Sequence, residues 1–392
     1  MPKPVLPVIY NTYFSERQVR EQNYLRDLEL RQRFGHHDVM FLRFEYPMTY
    51  TNPEKIKVYP ANTPVRVVWG RKPDLNTWYG YVNHKEMNSD SDPGTSQFQL
   101  TYTCIGTSQI LNKDKTRTWG KVTPTYIAKK IAKENGFRCV VTSVSWVLPY
   151  EVQAAESDFR FLNRIADKTG MRFWCSGGTL YMIDPAVAIY GSSKIAVPKF
   201  QHDKFSYQLD TLRYVELMDG YNLPGTVLAN RKLHGIDKYS GQLFTAVTKP
   251  GQTTEIDYVN DFRRVDNYHE AKKITDAWQN VSQHFTGSKA EVFGNTLLYP
   301  GKLVNFQGRV LMDTTRGYWL VTQAKHTLRA SNFTQSTLDS FTTELDVMRN
   351  TPETDVKLKG IQPVQPEMLG MSLAGPKWKA GNTSVIVDGV RQ

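Results

Sequence analysis

Two helix–glycine–strand units in tandem constrain this sequence more than any of its other features. The predicted helices lie 34 residues apart, and each carries apolar residues one helical turn apart, which is typical of an amphipathic helix. Thr123 and Ser157 supply side-chain oxygens at the N-caps, and Gly136 and Gly170 supply the left-handed residues that end the helices. The alternation over 171–183, interrupted by two glycines, predicts a hairpin. This stretch is therefore expected to form a small α+β module.

The sequence on either side of this module has the alternation and turn residues of antiparallel strands. A helix is predicted over 267–285, with Ala271 and Ile274 on its apolar face. The predicted fold class is mainly β with an α+β insert, in which two antiparallel β-barrel domains flank the two-helix module. The predicted division is an N-terminal arm at 1–38, β-barrel domain 1 at 39–115, the α+β module at 116–190, β-barrel domain 2 at 191–235 and 289–350, a hairpin and helix insertion at 236–288, and an extended C-terminal tail at 351–392.

The two ends of the chain lack the pattern of a folded core. Residues 15–33 are rich in charge and carry a thin apolar stripe, which predicts an arm or a surface helix. From Thr351 onward, prolines and glycines interrupt every pattern, as in a linker or docking arm. Within that tail, Val385, Ile386 and Val387 are the candidate partner-binding residues, because a short apolar strand can add to the edge of a partner's sheet.

The composition of the chain limits the cellular compartment and the kinds of partner that it can have. Lys and Arg exceed Asp and Glu by 11, and they are scattered, which favours a solvated surface over a patch for nucleic acid or an acidic partner. Cys104, Cys139 and Cys175 form no CxxC pair and are expected as small core residues. The first residues lack the apolar core of a signal peptide, and no run reaches the ~18 apolar residues of a membrane span. We therefore expect folding in the cytoplasm.

Motifs of nucleophilic catalysis and phosphate binding do not occur in the sequence, which has no GxSxG, no GxGxxG and no phosphate-binding glycine loop. His269-Glu270 begins like a zinc-protease helix, but Lys273 stands where the second histidine must lie, one turn on. His36-His37-Asp38 contains metal-ligand types, although adjacent residues at a turn point apart, so a surface histidine pair is favoured. The sequence predicts no enzyme and no catalytic, metal-binding or cofactor-binding residue.

Three acidic residues near the second helix offer the strongest enzymatic alternative. Glu151, Glu156 and Asp158 are clustered as the carboxylate pair of a glycosidase would be. A structural role explains them better, because Ser157 and Asp158 begin a helix and Glu156 complements its dipole.

Several histidines and aromatic residues also have a structural and a functional interpretation. His202 and His326 lie in strand-like sequence and are expected as hydrogen-bonded structural histidines. Trp69, Trp78 and Tyr79 are suited to stacking on sugars or bases, yet aromatic residues in the core of a barrel are more common.

The order of these motifs resembles the tail hub proteins of bacteriophages. The matching features are the segment Glu156 to Ala166 with Gly170, the hairpin at Gly178 to Tyr181, the Pro300-Gly301 turn, and the strand Tyr318 to His326 before a last strand at Thr334 to Leu345. The family includes the baseplate hub of contractile tails, the late control protein D family and the base of the type VI secretion spike. The resemblance covers residues 40–345 and excludes both ends of the chain.

This resemblance implies a structural virion protein in the phage tail or baseplate, assembled in the host cytoplasm. It implies two barrels like tail-tube subunits, and a homotrimer whose six barrels form a ring between the tail tube protein and the central spike or tail-tip protein, beside other baseplate proteins. Tape-measure protein and DNA would pass through the lumen without sequence-specific binding. The excess of positive charge is then expected outside the lumen, because a basic bore would retain DNA.

Two other classes of function remain open from the sequence. A tail-associated peptidoglycan hydrolase would need the carboxylate cluster or a metal site. A module that binds cell-wall glycans is the second alternative, because the two-helix stretch has some likeness to small glycan-binding α+β domains.

Overall fold

Antiparallel strands form most of the part of the chain that the structure describes, and two short helices interrupt them near its middle. The protein is described by a computed structural model. It covers residues 8–15, 17–18, 24–47, 56–71, 74–90, 97–183, 187–189, 199–201, 212–218, 230–237, 239–247, 258–261, 267–282, 286–307, 317–329, 340–349, 362–364, 379–380 and 383–384.

The N-terminal third is a series of strands that ends in a 3₁₀ helix at Thr107–Asn112. Alternate residues of these strands are buried, as in β5, where Val65, Val67 and Trp69 face inward. The strands are β1 (Val8–Phe14), β2 (Arg17–Gln18), β3 (Leu25–Arg33), β4 (Val39–Pro47), β5 (Pro64–Arg71), β6 (Asp74–Asp90) and β7 (Gln97–Gly106).

The predicted α+β module follows. Its strands pair as a β10–β8 ribbon and a three-stranded sheet in the order β11–β12–β9, in which β9 and β12 are parallel. The elements are β8 (Asp114–Val122), α1 (Pro124–Asn135), β9 (Arg138–Val141), β10 (Leu148–Ser157), α2 (Asp158–Thr169), β11 (Arg172–Ser176) and β12 (Thr179–Ile183).

The capping pattern that predicted both helices is confirmed. The side chain of Thr123 accepts a hydrogen bond from the backbone N–H of Tyr126, and that of Ser157 accepts one from Arg160. Gly136 and Gly170 end the helices with φ of 72° and 71°. The predicted hairpin turns at two glycines with positive φ, as a two-residue type I′ turn requires.

The C-terminal half returns to strands around one further helix, as predicted. Helix α3 begins after Asn267, whose side chain accepts a hydrogen bond from the backbone N–H of Glu270. The elements are β13 (Val187–Ile189), β14 (Lys199–Gln201), β15 (Leu212–Met218), β16 (Asn230–Ile236), β17 (Leu243–Val247), β18 (Tyr258–Asp261), α3 (Tyr268–Ser282), β19 (Thr286–Phe293), β20 (Leu303–Gln307), β21 (Gly317–Arg329), β22 (Ser340–Arg349), β23 (Gln362–Val364), β24 (Lys379–Ala380) and β25 (Thr383–Ser384).

One 13-stranded sheet joins strands from both halves of the chain. Its order is β15–β19–β22–β21–β3–β4–β7–β6–β5–β1–β2, and β20 and β14 branch from β21. The joining strand is β21, which changes partner at a bulge between Val321 and Gln323. Before the bulge Gly317–Leu320 pair with β20, and beyond it Gln323–Arg329 pair with β3. The predicted fold class, mainly β with an α+β insert, is confirmed.

The sheet curls until distant strands touch. Trp69 on β5 lies 5.0 Å from the ring of His326 on β21 and 5.5 Å from that of Phe341 on β22, although four strands separate β5 from β21 along the sheet. A first core therefore fills the curled N-terminal part and includes Leu328 and Phe341. A second core lies among β19 to β22.

The prediction of an arm or surface helix over 15–33 is wrong for Leu25–Arg33. These residues form β3, which lies inside the sheet between β4 and β21. Leu28 and Leu30 alternate toward the core, while Asp27 and Glu29 pair on the other side with Arg43 and Lys325. The alternation of a strand was hidden by charged residues that find cross-strand partners. The predicted division into domains stays a prediction.

Strands β16 and β17 and helix α3, which overlap the hairpin and helix insertion predicted at 236–288, pack on the α+β module. Strands β16 and β17 form an antiparallel hairpin, and β18 adds to β16 in parallel. Leu233, Ala246, Ala271 and Ile274 are buried in the same core as helices α1 and α2. Apolar contact therefore holds the insertion to the module. Within the described residues, no helix is long and apolar enough to cross a membrane.

Candidate functional site: the groove along helix α2

The three acidic residues considered as catalytic lie at or near a groove of about 1650 Å³ between β10, α2 and α3. Glu151 on β10 is 6% exposed and accepts hydrogen bonds from Arg164 at 3.1 Å and Lys168 at 2.6 Å. Glu156 accepts one from Arg164 at 3.1 Å. Each of these carboxylates therefore already binds a cation of α2.

Asp158 occupies the first turn of α2 and is only 1% exposed. It accepts hydrogen bonds from Arg117 at 2.6 Å, Gln153 at 3.0 Å and Asn135 at 3.2 Å, and it also pairs with Lys115. A carboxylate surrounded by four donors has the environment of a structural anchor. This geometry supports the capping interpretation of Asp158 over a catalytic one.

Lys168 links α2 to the neighbouring elements. Its ammonium donates to Glu151 on β10 at 2.6 Å and to Glu270 on α3 at 2.7 Å. Burial works against the charge of Lys168, but these two carboxylates outweigh it and raise its pKa. The groove wall is thus a set of ion pairs that fixes α2 against β10 and α3.

The rim of the groove presents apolar side chains beside these charges. Tyr150 is 57% exposed and Val152 is 38% exposed, and both project from the outer face of β10. The partners opposite them on β8 are Gly120 and Thr118, so this face of the ribbon carries no charge at these positions. Such a face suits contact with another protein better than chemistry on a small substrate.

The structure separates His36, His37 and Asp38. His36 is exposed, whereas His37 stacks on Phe159 at 3.8 Å and hydrogen-bonds the hydroxyl of Ser108 at 2.7 Å. Burial lowers the pKa of His37 to about 4. Asp38 instead turns into the interior, where the Gln32 amide donates to it at 2.9 Å. Among the described residues, no group of three His, Cys, Asp or Glu side chains is placed to hold a metal ion.

The structural interpretations of several other residues are confirmed. His326 is fully buried, with Thr343 at 3.0 Å from Nδ1 and the Leu298 carbonyl at 2.9 Å from Nε2, and burial lowers its pKa to about 4. Trp69 and Trp78 are core residues, and Tyr79 is half-buried. The three cysteines are buried and unbonded, as expected for core positions.

Other predicted residues lie outside the described part of the chain or outside the groove. Val385, Ile386, Val387 and His202 fall outside the described residues. His269 lies exposed on α3, where the adjacent Glu270 faces Lys168.

Sequence reasoning missed a second polar cluster around Asp38. The Gln32 amide bridges Asp38 and the Ser176 hydroxyl, at 2.9 and 2.8 Å, and burial raises the pKa of Asp38 to about 7. These three residues come from β3, the turn after it and the end of β11. No local spacing signals such a meeting, because it is made by the docking of the module against the sheet.

The fold, a curled sheet of both chain halves that carries a two-helix module, is similar to that of bacteriophage tail proteins and of a component of the type VI secretion system. A tail protein from Neisseria meningitidis MC58 matches with a TM-score of 0.64 at 12% identity, over 89% of this chain and 98% of its own. The 43 kDa tail protein of prophage MuSo2 from Shewanella oneidensis also matches with a TM-score of 0.64 at 12% identity, over 93% of this chain and 100% of its own.

A third match comes from secretion machinery. It is an Escherichia coli component of the type VI secretion system, described as structurally similar to the T4 bacteriophage tail proteins gp27 and gp5. Its TM-score is 0.52 at 11% identity, over 86% of this chain and 76% of its own. No protein-family model matches this sequence, and no curated protein matches it either. These likenesses confirm the resemblance to phage tail and spike-base proteins at the level of the fold.

Proposed function

We propose that this chain is a structural virion protein, the hub of a phage tail or baseplate. Three copies form a pseudo-sixfold ring that joins the tail tube to the central spike or tail-tip protein, next to other baseplate proteins. Tape-measure protein and DNA pass through its lumen without sequence-specific contacts. The observation that carries this proposal is the likeness to two tail proteins over nearly their whole length, 98% and 100%.

An open strand edge supports assembly into a larger object. Strand β6 runs for 17 residues, but β5 pairs with it only as far as Tyr81. All residues from Asn83 to Asn88 are exposed, so both faces of this part of the strand are open to solvent. Strand β7 is hydrogen-bonded along one edge of it. Among the described strands, none pairs with the outer edge of β6 beyond Tyr81. A long open edge presents unpaired backbone N–H and C=O groups, and a strand of another protein chain can pair with them.

The exposed apolar side chains at the rim of the α2 groove support protein contact as well. Tyr150 and Val152 are exposed in a chain that otherwise carries many surface charges. Large aromatic residues such as Tyr150 are enriched at protein interfaces. The groove and the β6 edge are therefore the surfaces that we assign to neighbours in the tail.

The decisive experiment is the mass of the purified chain in solution. Light scattering after size exclusion is expected to give three times the 45.0 kDa of one chain, and particle images of that fraction should show a ring with six lobes. A 45.0 kDa monomer at every concentration, alone and with tail-tube and spike proteins, would contradict the hub. In the imaged ring, Lys and Arg should lie mainly outside the bore, and a bore crowded with them would contradict a DNA conduit.

Peptidoglycan hydrolysis is tested separately on the same protein. Zymography is expected to give no clearing, because Glu151 and Glu156 already bind Arg164 and Lys168. Clearing that is lost in Glu156→Gln but kept in the exposed control Glu86→Gln would establish an enzyme and end the purely structural proposal. Retention of the protein on purified cell walls would establish the glycan-binding alternative and would likewise end the purely structural proposal.

A further inference from the structure

A smaller cavity of about 370 Å³ lies where three parts of the chain meet. Its walls come from β3 and β6 of the large sheet, from the β11–β12 hairpin of the module, and from Tyr299 just before β20. It is separate from the groove along α2, and its volume is within the roughly 300–1,000 Å³ typical of small-molecule sites. A ligand in this cavity would contact the module and both halves of the sheet.

The described residues that line the cavity carry charge of one sign only, which is positive. Among the described residues that line it, Arg138 is the single charged side chain, and the others are amide, hydroxyl, aromatic, glycine or leucine residues. Burial raises the pKa of the Tyr181 hydroxyl, and the nearby Arg138 guanidinium acts against this shift. A cation among neutral donors, with no acidic side chain in the same wall, is the electrostatic setting of an anion site.

Two residues that line this cavity carry a hydrogen-bond donor for which the described residues provide no acceptor. Arg138 Nε and Trp78 Nε1 are both buried without a hydrogen-bond partner, and Trp78 is only 4% exposed. A buried donor without an acceptor costs about 1–3 kcal/mol, so an acceptor atom of a bound ligand would be favourable beside these donors. Because the edge of a guanidinium presents Nε–H beside an Nη–H, it matches the two oxygens of a carboxylate or phosphate.

We propose that this cavity binds a small oxyanion, of the phosphate or carboxylate type. Arg138 supplies the charge and a two-point hydrogen bond, and the Trp78 indole N–H supplies a further donor. The Ser176 and Thr179 hydroxyls complete the polar lining. Since the anion touches the module and the sheet at once, its binding stabilises their junction. This site stands independently of the trimeric hub.

Asp38 lies behind the wall, separated from the cavity by Gln32 and Ser176. Its negative charge opposes an anion, so the binding experiment is run at about pH 6, where this buried acid is mostly neutral. Titration calorimetry and thermal shift on the full chain use inorganic phosphate in one arm and acetate in the other. Saturable binding of phosphate alone identifies a tetrahedral oxyanion, and binding of acetate identifies a carboxylate site.

Three variants and one control decide the assignment. Arg138→Gln is expected to weaken binding at least about tenfold, Arg138→Lys to weaken it less, and Trp78→Phe, which keeps the ring but loses the N–H, to weaken it about fivefold. Arg160→Gln removes an exposed arginine of α2 outside the cavity and should bind like the parent. Saturation absent in both arms, or full affinity in either Arg138→Gln or Trp78→Phe, would overturn the site. Should Arg138→Gln not fold, Arg138→Lys and Trp78→Phe carry the decision.

Discussion

At the scale of single residues, Asp38 should set part of the pH dependence of stability. Burial raises its pKa from 3.8 to about 7, so between these values the folded chain holds this proton more tightly than the unfolded chain. Its contribution to the free energy of unfolding is therefore complete below pH 3.8 and is lost as the pH rises to about 7. The amount is on the order of a few kcal/mol.

The variant Asp38→Asn tests this prediction because it keeps the oxygen that accepts from Gln32. Melting temperatures measured from about pH 5 to 7.5 should fall less steeply in the variant than in the parent. His326 changes stability in the opposite direction, since burial lowers its pKa to about 4, and it contributes equally to both proteins. The exposed control Asp114→Asn should follow the parent, and parallel curves for Asp38→Asn would refute the assignment.

Gly170 gives a second prediction at this scale. Its φ is +71°, and an added Cβ would lie 2.6 Å from the backbone oxygen of Ala277 on α3. Gly170→Ala should therefore strain the end of α2 and also push α3 away, at a cost of about 2–4 kcal/mol. Gly177→Ala is the matched control, with φ of +55° and no atom within 4 Å of the added Cβ. Chemical denaturation should show that Gly177→Ala lowers the free energy of unfolding by about 1 kcal/mol. An equal loss of stability in the two variants would show that α3 does not press on Gly170.

At the scale of elements, Lys168 is predicted to hold α2, α3 and β10 together. Lys168→Met removes the cation between two buried carboxylates, Glu151 and Glu270, and should destabilise the chain by about 3 kcal/mol. Lys272→Met breaks an exposed pair with Asp276 on the same helix and should cost less than about 0.5 kcal/mol. Urea unfolding measures the loss of unfolding free energy in each of the two variants. Similar small losses would mean that the buried pairs contribute no more than the surface pair.

Elements with local signals were predictable from the sequence, and elements defined by distant contacts were not. Helices α1 and α2 carry their caps and closing glycines within 15 residues, so their bounds followed from the sequence. Strand β3 was missed because its charged positions resemble a surface helix until Arg43 and Lys325 are seen beside them. The cavity around Arg138 was missed for the same reason, since Trp78 and Tyr299 meet it only in the folded chain.

At the scale of the whole molecule, the curled sheet predicts that its two halves lose structure together. Trp69 on β5 contacts His326 and Phe341 on β21 and β22, so Trp69→Leu should raise the hydrogen-exchange rates of amides in those distant strands. Tyr150→Leu, at an exposed position of the module, should leave these rates unchanged. Faster exchange confined to β5 and its neighbours would mean that the halves are energetically separate.

The change of partner along β21 has a mechanical consequence. Because its first residues are bonded to β20 and its later residues to β3, one continuous strand is hydrogen-bonded to both halves of the molecule. Separating the two halves would require breaking several of these backbone hydrogen bonds together. The chain should therefore transmit a mechanical load from one half to the other as a single stiff body.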